Sequence, residues 1–158
     1  MREIRFIDDS EPKALKDALA LVRNVFWEFD AEDYSDEGIL EFSDYIEYDS
    51  IQAMLQSGEL VMMGCYQHNR LAGVLALRVP GHISLLFVGK AYQRQGIARA
   101  LLDTAIRCVR QITGEKALTV NAAPYATAIY QKMGFMPTDG EQLLNGIRFI
   151  PMRLDIGQ

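Results

Sequence analysis

Apolar positions recur along the chain with two different periods, and the changes between them divide it into elements. Residues 2–8 alternate, with Ile4 and Phe6 on one side and polar neighbours on the other, which predicts a first strand. Pro12 then opens a stretch in which Leu15, Leu19, Val22 and Phe26 fall at helical spacing, with Ala18 and Val25 widening the stripe, so a helix is expected to about Phe29. Between Ala31 and Ser57 the aromatic and aliphatic positions suggest one or two short helices, ended by Gly58. Two apolar runs, Glu59–Gln67 and Leu71–Val79, flank His68-Asn69-Arg70 and read as a hairpin. Pro80-Gly81 breaks the chain before a further apolar strand, His82–Val88. From Gly96 to about Thr113 the period returns to helical, with Ile97, Leu101, Ala105, Val109 and Ile112 on one face and Gly114 as the stop. Lys116–Asn121 is a short strand, and Pro124 suits the first position of a helix to Met133, with Gly134 at its end. Phe135 leads into a penultimate strand, and Asn145-Gly146 is a hairpin signal before the last strand, Ile147–Leu154. A single mixed sheet flanked by helices is the natural packing for this order, and residues 1–158 are expected to form one domain.

One junction carries more than secondary structure. The strand ending Leu86-Phe87-Val88 runs into Gln93-Arg94-Gln95-Gly96-Ile97-Ala98-Arg99, where a helix begins. A strand, tight turn and helix start leave several backbone N–H groups free, with the positive end of the helix dipole behind them. Such a turn binds anions, phosphate above all. Gly96 permits close backbone approach, Ala98 keeps the next position small, and Arg94 and Arg99 add positive charge. A P-loop needs Lys-Ser or Lys-Thr after its second glycine and a dinucleotide fingerprint needs three glycines, and neither pattern is present.

Charge changes the picture further. The net charge of −5 hides a division: from Asn24 to Asn69 there are eleven acids and no Lys or Arg, while all sixteen basic residues and ten acids lie elsewhere. The acidic balance speaks against nucleic-acid binding. Apolar runs are too short to span a bilayer, the start lacks a signal-peptide core, and Cys65 and Cys108 have no metal-ligand spacing, so a reducing cytoplasm is expected, with no metal and no membrane partner.

Gln93–Ala98 resembles the Gln/Arg-x-x-Gly-x-Gly/Ala signature of the GNAT superfamily, the acyl-CoA-dependent N-acetyltransferases. A second block, Asn121–Phe135, ends Ile-Tyr-Gln-Lys-Met-Gly-Phe and looks like that family's Tyr-x-Lys-x-Gly-Phe. The order of elements is also that of the GNAT fold. The resemblance implies an α/β (α+β) architecture: a mostly antiparallel mixed sheet of about seven strands, flanked by helices, whose fourth and fifth strands splay apart around acetyl-CoA. It implies that backbone groups of Leu86, Phe87 and Val88 bond the pantetheine arm, that Arg94, Gln95, Gly96, Ile97, Ala98 and Arg99 hold the pyrophosphate, and that Tyr125 and Tyr130 face the cofactor. One of the strand N–H groups would polarise the thioester carbonyl. Tyr130 becomes the expected general acid, since a departing thiolate is stabilised by a positioned proton donor. Members often form homodimers, although no residue here requires one.

Two positions depart from the family pattern. The asparagine found in many members at the start of the tyrosine helix is matched by Ala123, with Asn121 two residues earlier as the remaining candidate cofactor contact. The strand glutamate that serves many members as base is matched by Ser84. The base could then be His82, with an unperturbed pKa of about 6.5, a water held by Ser84, or a carboxylate from the acidic segment. In the family that segment commonly forms a wall of the acceptor site, which suggests an acceptor with more than one positive charge: a polyamine, an aminoglycoside or a basic peptide. The expected activity is acetyl transfer from acetyl-CoA to a primary amine in a ternary complex. The alternative is a non-catalytic acyl-CoA-binding sensor or interaction module.

Overall fold

A computed structural model describes residues 1–157. The strands are β1 (Arg2–Ile7), β2 (Leu60–Gln67), β3 (Arg70–Arg78), β4 (His82–Val88), β5 (Ala117–Ala122), β6 (Met136–Pro137), β7 (Gln142–Leu144) and β8 (Ile147–Asp155). The α-helices are α1 (Pro12–Val25), α2 (Asp36–Tyr45), α3 (Tyr48–Ser57), α4 (Ile97–Ile112) and α5 (Thr127–Lys132). The sheet runs β1-β2-β3-β4-β5-β8-β6, with β7 paired to β8, and β4–β5 is its parallel pair. Eight strands replace the expected seven because the penultimate segment divides into two short pieces, β6 and β7, both paired to β8. Among the described residues no helix is long and apolar enough to cross a membrane.

Helices cover both faces, so the central strands are apolar on both sides rather than alternating. Leu15, Leu19 and Val22 of α1 and Ile51 of α3 pack with Ile7, Met62, Val74 and Ala76 on one face. On the other, Ile97, Leu101, Leu102 and Val109 of α4 pack with Met63, Leu75 and Leu77. Each of these buried Val, Leu, Ile and Met side chains contributes roughly 1.5–3 kcal/mol. Two expected core positions lie outside. Phe6 is 55% exposed because it sits on the edge strand, while α4 packs over β2, β3 and β4. Ile112 is 69% exposed in the last turn of α4, where the helical stripe ends with Cys108 and Val109.

The helix expected from Pro12 to Phe29 changes character at its end. After Val25 the chain makes one π-helical turn, Phe26–Asp30, and a 3-10 turn, Ala31–Asp33. The wider turn rotates the side chains that follow, and Phe26 lands stacked on Phe42 at 4.2 Å. The segment after Pro124 likewise begins as a 3-10 turn, Pro124–Ala126, before α5.

What opens the sheet is a one-residue bulge. β3 pairs Leu77 with Ile83 and then Ala76 with Leu85, so Ser84 has no opposite residue. The bulge reverses the facing of the strand: Ile83 joins the α4 core, whereas Leu85, two residues later, joins the α1 core. A bulge also bends and over-twists its strand. Pairing with β5 accordingly stops after His82–Thr119 and Ile83–Val120, and β4 from Leu85 onward parts from β5.

Candidate active site

Two cavities open where β4 and β5 part. The larger, about 610 Å³, lies beside the N-terminus of α4 and is lined by Leu86, Phe87, Val88, Arg94, Gly96, Ile97, Ala98 and Arg99, and by Tyr125 and Tyr130 from the far side. The smaller, about 340 Å³, lies toward the acidic segment, with Asp30, Tyr34, Glu41, Phe42 and Tyr45 on one wall, His82 and Ser84 on another, and Arg148 of β8 on a third. The two share Leu86, Phe87, Tyr125, Ala126 and Tyr130.

The turn into α4 is formed by two residues in the left-handed region, Arg94 at φ 64° and Gly96 at φ 81°. Glycine adopts that conformation without strain, and successive amides in such a turn point to one side. Gln95 does not line the cavity: its carbonyl accepts from the Arg2 guanidinium at 2.6 Å and its side chain bonds Gln67 and the Ala91 carbonyl. Gln93 does line it, with its amide donating to the Val88 carbonyl at 3.1 Å. Arg99 is held by Asp103 at 3.3 Å and donates to the Met133 carbonyl at 3.4 Å, tying α4 to the end of α5. Asn121 faces the smaller cavity rather than the larger.

Tyr130 is almost wholly buried, edge-on to Phe135 with ring centroids 5.4 Å apart. Burial, then the nearby Asp30 carboxylate, holds its phenol well above the usual tyrosine range, so it carries its proton at neutral pH. His82 is half-buried, with Nδ1 at 2.8 Å from the Thr119 hydroxyl. Burial and then Arg78 push its pKa down, which keeps the imidazole neutral at pH 7. The Ser84 hydroxyl donates to the Ala76 carbonyl at 3.5 Å, and the Tyr45 hydroxyl is buried with no hydrogen-bond partner among the described residues.

The sequence profile of the acetyltransferase (GNAT) domain matches residues 30–156, most of the chain. The chain belongs to the GNAT acetyltransferases. A Bacillus subtilis protein named as an acetyltransferase is 24% identical over 112 residues, covering 69% of this chain and 72% of its own. The B. subtilis protein YyaT is 25% identical over 150 residues, covering 91% and 90%. Among solved structures, the PaiA N-acetyltransferase of Thermoplasma acidophilum in complex with coenzyme A superposes with a TM-score of 0.79 at 19% identity, covering 98% of this chain and 99% of that one. That likeness shows a shared fold.

The residues of this GNAT acetyltransferase fit a coenzyme A ligand. The open edge of β4 offers unpaired amide groups of the kind an amide-bearing arm can pair with, and the glycine turn offers N–H groups beside Arg94 and Arg99. The Tyr125 hydroxyl donates to the Asp30 carboxylate at 2.7 Å across the cleft. Tyr125 is 49% exposed, but Asp30 is only 6% exposed. Burial pushes the Asp30 pKa up to about 6, opposed by the Tyr125 bond and assisted by Asp33. Tyr34, in the same wall, is pushed up to about 12, by burial first and then by Asp30.

Proposed function

We propose that the protein is a cytoplasmic acetyltransferase that moves an acetyl group from acetyl-CoA to a primary amine carrying positive charge, within a ternary complex. One observation carries this reading: a cavity beside the glycine turn and a cavity holding a buried carboxylate meet at a shared wall that contains Tyr130. Acetyl-CoA, when bound, supplies an activated thioester. Backbone groups of Leu86–Val88 bind its pantetheine arm, and the turn Arg94–Arg99 binds its pyrophosphate. The aromatic wall of Tyr34, Phe42 and Phe87 and the acids Asp30 and Glu41 receive the amine; aromatic faces and carboxylates both attract an ammonium group. Tyr130 lies on both cavities and keeps its proton at neutral pH, as a donor to a departing thiolate must. A cysteine relay has no support, because Cys65 and Cys108 are buried and burial pushes both thiols up.

The test is release of free CoA thiol from acetyl-CoA against polyamines, aminoglycosides, amino acids and peptides with free amines. Turnover with a cationic class is expected, and Tyr130→Phe should lower kcat by at least about 100-fold while leaving CoA affinity within a few fold. Tight CoA binding without turnover on any amine would instead identify a sensor.

A further inference from the structure

We propose that Asp30 is the proton acceptor for the attacking amine, with Tyr125 as the residue that positions it. This rests on reading the site as an N-acetyltransferase. It concerns how such a site works when Ser84 stands where other members carry a glutamate.

Among the described residues, Asp30 is the one charged side chain that is buried, with 6% of it exposed. No ion pair with a basic residue compensates it; the described pairs engage other carboxylates, Glu28 with Lys90 among them. Its recorded partner is the Tyr125 hydroxyl. A buried, uncompensated carboxylate is costly, and an apolar or amide side chain would fill the place more cheaply. Its location gives the cost a use. Asp30 lines the smaller cavity only, while Tyr125 and Tyr130 belong to the wall shared with the larger one. A nucleophile approaching the junction from the acceptor side therefore passes Asp30 before it meets a thioester lying along Leu86–Val88.

The other candidates are less well placed. Along β4, His82 precedes Leu86 by four residues, roughly 13 Å of strand, and its Nδ1 is engaged by Thr119. Ser84 cannot ionise in the required range, and its hydroxyl points to the Ala76 carbonyl. The groups that face Asp30 tune it. Tyr125 and Tyr130 approach from beyond the cleft, and Asp33 and Tyr34 from its own side. Glu41, Arg78, His82 and Arg148 line the same cavity.

The protons balance. The substrate ammonium gives one proton to the Asp30 carboxylate, which later releases it to water. The free amine attacks the thioester carbonyl, a C–N bond forms and the C–S bond breaks. Sulfur takes a proton from Tyr130, and Tyr130 is reprotonated by the second proton leaving nitrogen. The net products are amide, CoA thiol and one proton.

The experiment is the pH dependence of kcat/KM with the best amine, measured for the wild-type protein, Asp30→Asn, Asp30→Ala and Tyr125→Phe. CoA affinity is measured for each by calorimetry. The wild type should show an acid limb near pH 6. Asp30→Asn should lose at least about 100-fold in kcat together with that limb, with CoA affinity and melting temperature not lowered. Formate should restore part of the rate to Asp30→Ala in proportion to its concentration. Tyr125→Phe should move the limb upward, since the lost hydrogen bond favours the ionised carboxylate. An Asp30→Asn protein that keeps the limb and works within a few fold of wild type overturns this proposal and leaves the acetyltransferase reading standing. Absence of wild-type turnover with every amine overturns both.

Discussion

A carboxylate buried beside a tyrosine leaves a mark on stability as well as on rate. Folded Asp30 holds its proton to about pH 6, whereas a free aspartate side chain loses it near 3.8. Between those values the folded chain binds more protons than the unfolded one, so stability from this group falls as pH rises and the loss is complete above about 6. At 1.36 kcal/mol per pH unit the full penalty is roughly 3 kcal/mol. Asp30→Asn keeps an acceptor for Tyr125 and removes the charge, so its melting temperature at pH 7.5 should exceed that of wild type by on the order of 5–10 °C, with the gap closing toward pH 4. Thermal melts of both proteins at the two pH values check this, and a gap independent of pH would contradict the placement of the charge. The sign is opposite to that of a salt-bridged aspartate, which loses stability on acidification.

At the level of elements, the turn before α4 and the hairpin before β8 were legible because each is written in consecutive residues. Asn145 and Gly146 take φ values of 54° and 79°, as an Asn-Gly hairpin requires, and Gly96 sits at the start of α4. A side chain at Gly96 must adopt φ 81°, costing roughly 1–2 kcal/mol, and its strain falls on the amides that face the larger cavity. Gly96→Ala should therefore weaken CoA binding by about 10-fold in calorimetry, with far-UV circular dichroism unchanged; equal affinity would remove the turn from the binding site. The bulge at Ser84 left no trace in the sequence. Every residue from Leu85 to Val88 is apolar, so a reversal of facing changes no visible pattern. The π-helical turn was hidden for a related reason: Phe26-Trp27-Glu28-Phe29-Asp30 continues a helical stripe well enough that the extra residue in its last turn cannot be seen.

Over the whole molecule, what sequence motifs conveyed was the proposed donor side, since Gln93–Arg99 and Tyr130–Phe135 are each local. The proposed acceptor side was visible only as a charge imbalance, because Asp30 and Tyr125 are 95 residues apart and meet through the packing of the folded chain. That imbalance has a measurable consequence. If the eleven acids between Asn24 and Asn69 outweigh Arg78 and Arg148 at the smaller cavity, they attract cations over distances that salt screens, and KM for a multivalent amine should rise steeply between 50 and 500 mM NaCl while KM for acetyl-CoA follows a different course. Equal salt dependence for neutral and cationic amines would show that the acids are only a solvated face. The parting of β4 from β5 has a consequence of another kind. An unpaired strand edge on a protein surface is a template on which further chains can add. Here the unpaired residues lie at the floor of a cleft, between α4 and the turn that leads into α5. The walls of that cleft keep a second strand away from these amides, while the opening still admits a slender guest.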